Sequence, residues 1–233
     1  MMRWMSSFTV TALAALVLSA CSSAPPVPDW QKLSTQAVDQ ATSATLQGQD
    51  KLAEHQWAAA LGQARRTALP EPMVRVELIR CAVRQASTLQ VQCPGFEALA
   101  AFAPEAERAY ARYLSAQFTA ADIALLPPPH RPVAAALVQS ADPASISRAL
   151  QSVPDGLSRL VAASVVIQQA PSLPVVAVAV DTASAQGWQR PLLSWLTLQQ
   201  RLAQESGNTE LAARAQQRLQ WLTEAAAKRP QPN

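Results

Sequence analysis

The sequence predicts an all-α fold, an irregular α-solenoid or helical bundle of antiparallel helix pairs. Three observations lead there. From residue 30 onward nearly every segment repeats its apolar residues with helical period. The chain holds only 6 glycines and is rich in alanine, leucine and glutamine, which suits helix and disfavours sheet. Prolines mark the joints between periodic stretches, at Pro94, Pro104, Pro127, Pro132, Pro143, Pro154, Pro171, Pro174 and Pro191. Several of them sit where a first helical turn would begin, a position that needs no N–H.

The first element stands apart from that fold. A short stretch carrying Arg3 precedes an apolar run over 8–18, and Leu18-Ser19-Ala20-Cys21 follows. A spanning helix needs roughly 20 apolar residues. The shorter run reads as a secretory signal. Its end resembles the lipobox of bacterial lipoproteins: an aliphatic residue, two small ones, then cysteine. The resemblance implies removal of residues 1–20, a diacylglyceryl thioether on Cys21 and acylation of the new amine. One acyl chain holds a protein to a membrane only marginally, and several hold it firmly. By analogy with Gram-negative sorting, Ser22 directs the protein to the outer membrane, facing the periplasm. Residues 21–29 are polar and broken by proline, a lipid-anchored tether.

Asp29 reads as the N-cap of a helix starting at Trp30, with Trp30, Leu33, Ala37, Val38, Ala41, Ala44 and Leu46 on one face. A second helix is expected over 56–69. A third is expected over 73–86 with Val76, Ile79 and Val83 inward. Others follow over 96–102, 104–118, 132–140, 143–151, 156–169, 174–186, 191–206 and 209–228. Gly187 and Gly207 occupy C-terminal cap positions, which favour a left-handed residue. The strongest break, 126–132, is a candidate subdomain boundary within a helical domain over 30–228. The valines of 173–180 suit a buried strand. A lone strand would have no partner and the run continues to Gly187, so a buried helix is expected. Residues 229–233 read as a disordered tail.

Two stretches share a pattern. In the first, Leu46, Gly48, Leu52, Trp57, Ala60, Ala64, Ala68 and Pro72 are spaced as in a tetratricopeptide-like helix pair. Gly48 and Ala60 stand where two helices must approach closely. In the last, Trp195, Leu198 and Leu202 precede Gly207-Asn208, and Leu211, Ala212, Ala215 and Leu219 return. The chain is thus similar to tetratricopeptide repeats at both ends, over about a third of residues 21–233. Glu54-His55 replaces the usual Gly-Asp turn, Gln199-Gln200 replaces a Leu-Gly pair, and 87–155 does not match. What the resemblance implies is a concave docking surface made by stacked helix pairs.

The formal net charge is +3, of which Arg3 supplies one, so residues 21–233 carry +2. That field is too weak to argue for a nucleic-acid partner. Cys81 and Cys93 are an even pair in an oxidising compartment, where a disulfide is the default. A helix running through residue 92 would part them by well over 10 Å. If it ends near Ala86, the extended-looking 87–93 can run back and place them together. Two free buried thiols are the other reading.

Candidate chemistry is sparse. His55 and His130 fall in predicted loops with no metal-binding spacing, and read as ordinary surface histidines. No metal site and no cofactor are expected, and no glycine-rich phosphate loop is present. Gly156-Leu-Ser158-Arg-Leu160 lacks the second glycine and the strand of a nucleophile elbow. Glu105 and Glu107 are two apart on a helix and diverge, whereas Glu105 and Arg108 suit a surface pair. Trp188, Trp195 and Trp221 read as core filling. The one concentration of charge is Arg65, Arg66, Arg75, Arg80 and Arg84 against Glu71 and Glu77, a local +3. It is either an arginine-lined groove for an acidic partner or a solvated, locally neutralised face.

These observations lead to one expectation: a lipid-anchored, periplasm-facing α-helical adaptor that binds a protein partner in envelope assembly, without catalysis. An envelope protein or enzyme acting on a small ligand or cell-wall fragment is an alternative. A structural lipoprotein with no dedicated partner is another.

Overall fold

The computed structural model describes residues 26–90 and 92–227, and every regular element among them is helical. The signal segment, Cys21 and the 229–233 tail lie outside the described residues.

Two helices, α1 (Asp29–Leu46) and α2 (Asp50–Arg65), form a hairpin whose seam is alanine. Ala41, Ala60 and Ala64 are fully buried and Trp57 closes the seam at 2% exposure. Small side chains let the helices come close. Trp57 Nε1 donates to Thr45 Oγ1 (3.3 Å), which itself donates to Ala41 O (2.7 Å). Leu33, expected inward, is 45% exposed. Ser34 takes the interior place, because its hydroxyl reaches Ala60 O at 3.2 Å. Asp29 opens the helix rather than capping it, with Pro28 at the cap. Gly48, with φ +75°, completes the turn within residues 47–49, so α2 begins well before 56. Gly48 therefore serves the turn, not a helix contact. His55 falls mid-α2, exposed, rather than in a loop.

The central helix is α3 (Pro70–Thr88). Val76 and Val83 join the α1–α2 cluster, while Val74, Leu78, Cys81, Ala82 and Ala86 join the larger core. Ile79 falls between these two arcs and is 40% exposed, not inward as expected. At the end of α3, Leu89 adopts φ +60° and its N–H returns to Gln85 O at 2.9 Å. The reversed chain brings Cys93 to Cys81 at disulfide distance, 5.4 Å between Cα atoms.

Next come α4 (Pro94–Glu97) and a 3-10 turn over Ala100–Phe102, where the sequence suggested a single helix. The following α5 (Glu105–Leu114) stops short of 118. Ala116 takes φ +56° and Gln117 N–H reaches back to Arg112 O at 2.8 Å, a C-terminal cap. Two unexpected 3-10 turns, Ala120–Leu125 and Pro128–His130, lead to α6 (Arg131–Val138) and α7 (Pro143–Gln151). Then come α8 (Gly156–Gln169), α9 (Leu173–Ala185), α10 (Gln189–Glu205) and α11 (Thr209–Ala227), each packed against the next. Asp142 and Asp155 cap α7 and α8, each accepting two backbone N–H groups at 3.0 Å. The valine run of 173–180 is helix, with Val175, Val176, Val178 and Val180 buried.

One apolar cluster takes residues from Val74 to Ala215, on both sides of the 126–132 segment. Leu126 itself is fully buried against Tyr113, Ala134 and Val165. Among the described residues no helix is long and apolar enough to cross a membrane.

Candidate functional site

The end of α3 borders a wide depression. The last carbonyls of a helix have no partner within it. Here α10 supplies two from across the fold: Trp195 Nε1 donates to Ala86 O (3.1 Å) and Ser194 Oγ to Ser87 O (2.9 Å). That crossing turns Leu193, Thr197 and Arg201, one helical turn apart, toward the C-terminal half of α8. Between them lies an open groove of about 650 Å³, with Leu89, Ile167 and Pro171 on the far side. Such a volume is that of a typical ligand cleft.

The groove's polar side chains are largely committed to the fold. Ser164 Oγ donates to Val161 O (2.6 Å), Thr197 Oγ1 to Leu193 O (2.8 Å), and Gln168 Nε2 to Leu114 O (2.9 Å). Leu193 adds an apolar face, 48% exposed, beside the exposed Gln168 and Thr197. The rim cation, Arg201, meets Glu205 at 3.7 Å, with both side chains more than half exposed. Such an arrangement can receive apolar side chains and orient a backbone with hydroxyl oxygens. Leu193 also borders a second depression of about 330 Å³ with Gly48, Arg190 and Leu222. Sequence reasoning passed over Leu193. The available signal was one leucine among the polar positions of α10, which periodicity alone assigns to solvent.

The five arginines singled out from the sequence differ in their partners. Arg65 and Arg66 end α2 in solvent, Arg66 bonding Gln63 at 3.1 Å. Arg75 crosses to Glu107 of α5 at 2.9 Å. Arg80 meets Glu54 of α2 at 2.5 Å and Glu77 at 4.0 Å. Arg80 and Arg84 line a small pocket of about 90 Å³ with Glu77 and the Cys81–Cys93 pair. Arg84 Nε is buried there without an acceptor. Glu105 holds Arg108 and Arg112, each at 2.7 Å, and these guanidiniums, Arg112 foremost, keep its carboxyl below the usual range. Arg112 also reaches Asp122, whose carboxyl is lowered to about 2 by that bond first and by the Thr119 N–H second.

The histidines part company. His130, expected at the surface, is 3% exposed. Its ring lies 5.4 Å from Tyr110 and 5.1 Å from Tyr113, with Nε2 at 3.5 Å from Tyr110 Oη. Burial drops its pKa to about 4 and raises both tyrosines. The tryptophans differ likewise: Trp195 is fully buried and Trp188 half-buried, whereas Trp221, expected in the core, is 60% exposed. Among the described residues no three His, Cys, Asp or Glu side chains gather as metal ligands.

Comparison with protein families, curated proteins and solved structures finds no match to this chain, so its functional reading rests on the geometry above.

Proposed function

We propose that this chain is a lipid-anchored α-helical adaptor of the bacterial cell envelope, held to the outer membrane through Cys21 and facing the periplasm. It binds a segment of a protein partner in the groove between the end of α3, α8 and α10. The observation that carries this reading is the groove itself: about 650 Å³, mostly apolar in its lining, with its hydroxyls and amides already bonded within the fold. A site of that chemistry rewards apolar side chains and makes few demands on polar ones. The lipobox-like Leu18-Ser19-Ala20-Cys21 and the tetratricopeptide-like spacing at both ends support location and mode. Of the five arginines, Arg75 and Arg80 are already paired with carboxylates, which favours the groove over them as the docking face.

In-cell crosslinking of the tagged, lipidated protein tests this. One saturable partner should co-purify, be lost on Leu193→Glu, and persist when Arg80 and Arg84 become Glu. Capture unaffected by Leu193→Glu but lost with the arginine changes would move the site to α3. Co-purification of a small molecule without any protein would overturn the adaptor reading.

A further inference from the structure

His130 closes the 3-10 turn Pro128–His130 and is held between α5 and α8 without a charged partner. Its Nδ1 is buried with no hydrogen bond, as is the neighbouring Tyr113 Oη. Each charged group on the elements around it is engaged elsewhere. On α5, Glu105 holds Arg108 and Arg112, and Glu107 holds Arg75. In the preceding 3-10 turn, Asp122 is bound to Arg112 and to Thr119. On α6, Arg131 Nε donates to Leu126 O at 2.8 Å. On α8, Arg159 is committed to Val153 O and Thr182 Oγ1. Asp155 favours the charged imidazole, but its carboxylate caps α8 and burial outweighs it. A proton arriving on His130 would therefore place a charge that Asp155 only partly offsets against two tyrosine rings, one of which, Tyr113, packs with Leu126 and Val165.

We propose that His130 is an acid-sensitive latch: on taking up a proton it releases residues 119–131 from α5 and α8 and bares the apolar surface of Tyr110, Tyr113 and Leu126. That surface continues an existing apolar groove of about 260 Å³, lined by Ile79, Tyr110, Leu125 and Pro127. Once the segment opens, the imidazole meets water and takes its proton near pH 6.5, against about 4 when closed. Between those values the open form binds the proton and the closed form does not, so opening gains about tenfold for each pH unit lost. The full gain is roughly 300-fold and is approached only below pH 4, where the closed form also takes the proton; from pH 7 to pH 4 it is about 100-fold. Asp122 contributes only below that window, as pH falls from 3.8 toward 2.

Amide hydrogen exchange of the whole protein, corrected for intrinsic rates, reads this between pH 7 and pH 4. Residues 119–131 should lose protection by roughly 100-fold more than α9 does. His130→Phe, which keeps a ring without a titrating nitrogen, should lose the pH dependence. Protection that stays level in the native chain, or falls equally in His130→Phe, overturns the latch. Should that variant fail to fold, the ring resonances of His130 in the native chain decide. Proton uptake near pH 4, with Tyr113 changing environment in step, supports the latch. Uptake near 6.5 with Tyr113 unmoved overturns it.

Discussion

Replacing Trp195 with phenylalanine should cost about 2–4 kcal/mol of stability. The magnitude has two parts. The indole is fully buried in the main core, so removing its second ring opens a cavity; complete truncation of such a residue costs about 3–5 kcal/mol, and Phe restores most of it. The second part is the bond from Nε1 to Ala86 O at 3.1 Å, which joins residues 109 apart in sequence. Ala86 O is a last-turn carbonyl of α3, and without the indole it is buried and unpaired, at about 1–3 kcal/mol. Urea unfolding followed by far-ultraviolet circular dichroism measures the change without relying on tryptophan emission. The midpoint should fall with an unchanged slope. Trp221→Phe is the control: its ring is 60% exposed, and its effect should stay within about 0.5 kcal/mol. Ser194→Ala removes the adjacent cap on Ser87 O (2.9 Å), and the two losses should couple because both hold one helix end. A Trp195→Phe cost no larger than that of Trp221→Phe would refute the argument that α10 completes the end of α3. It would also remove the reason given for the position of the groove wall.

Other expectations follow from the same contacts. Replacing Cys81 and Cys93 together with alanine frees a loop of sequence separation 12 and should lower unfolding free energy by about 3 kcal/mol in the chain-entropy model, read by denaturant titration. A Gly95→Ala methyl would clash with the Glu77 carboxylate, which must move from α4; thermal melting should fall, and Glu77→Ala should restore part of the loss. Asp122 is held low by Arg112, so its stabilisation is complete above its unfolded value of 3.8 and lost as pH falls toward 2. Asp122→Asn should therefore lower stability at neutral pH and flatten the acid-unfolding curve between pH 4 and 2.

Local signals were legible before any coordinates. Helices α7 and α8 span the expected 143–151 and 156–169, and Asp142 and Asp155, not singled out from the sequence, fix their starts because a cap satisfies N–H groups two or three residues away. Gly187 and Gly207 take positive φ for an equally local reason. The valine run of α9 reads as helix from its length and its glycine stop. Inside and outside were harder wherever a polar residue found a distant acceptor. Ser34 displaced Leu33 because Ala60 O was within reach, and no periodicity records that.

The sequence by itself determined an all-α chain, the order and approximate limits of its helices, the opportunity for Cys81 and Cys93 to meet, and the segment that reads as a lipid anchor. Each depends on residues close along the chain or on a spacing that repeats. Tertiary structure alone decided which arginines find carboxylates, Arg75 with Glu107 and Arg80 with Glu54. It also decided that His130 is shut between tyrosines, and that α10 caps α3 and opens a groove beside it. The physical reason is range: these depend on short-range contacts between groups 17 to 109 residues apart, whose meeting is set by how whole helices pack and not by any pattern along one of them.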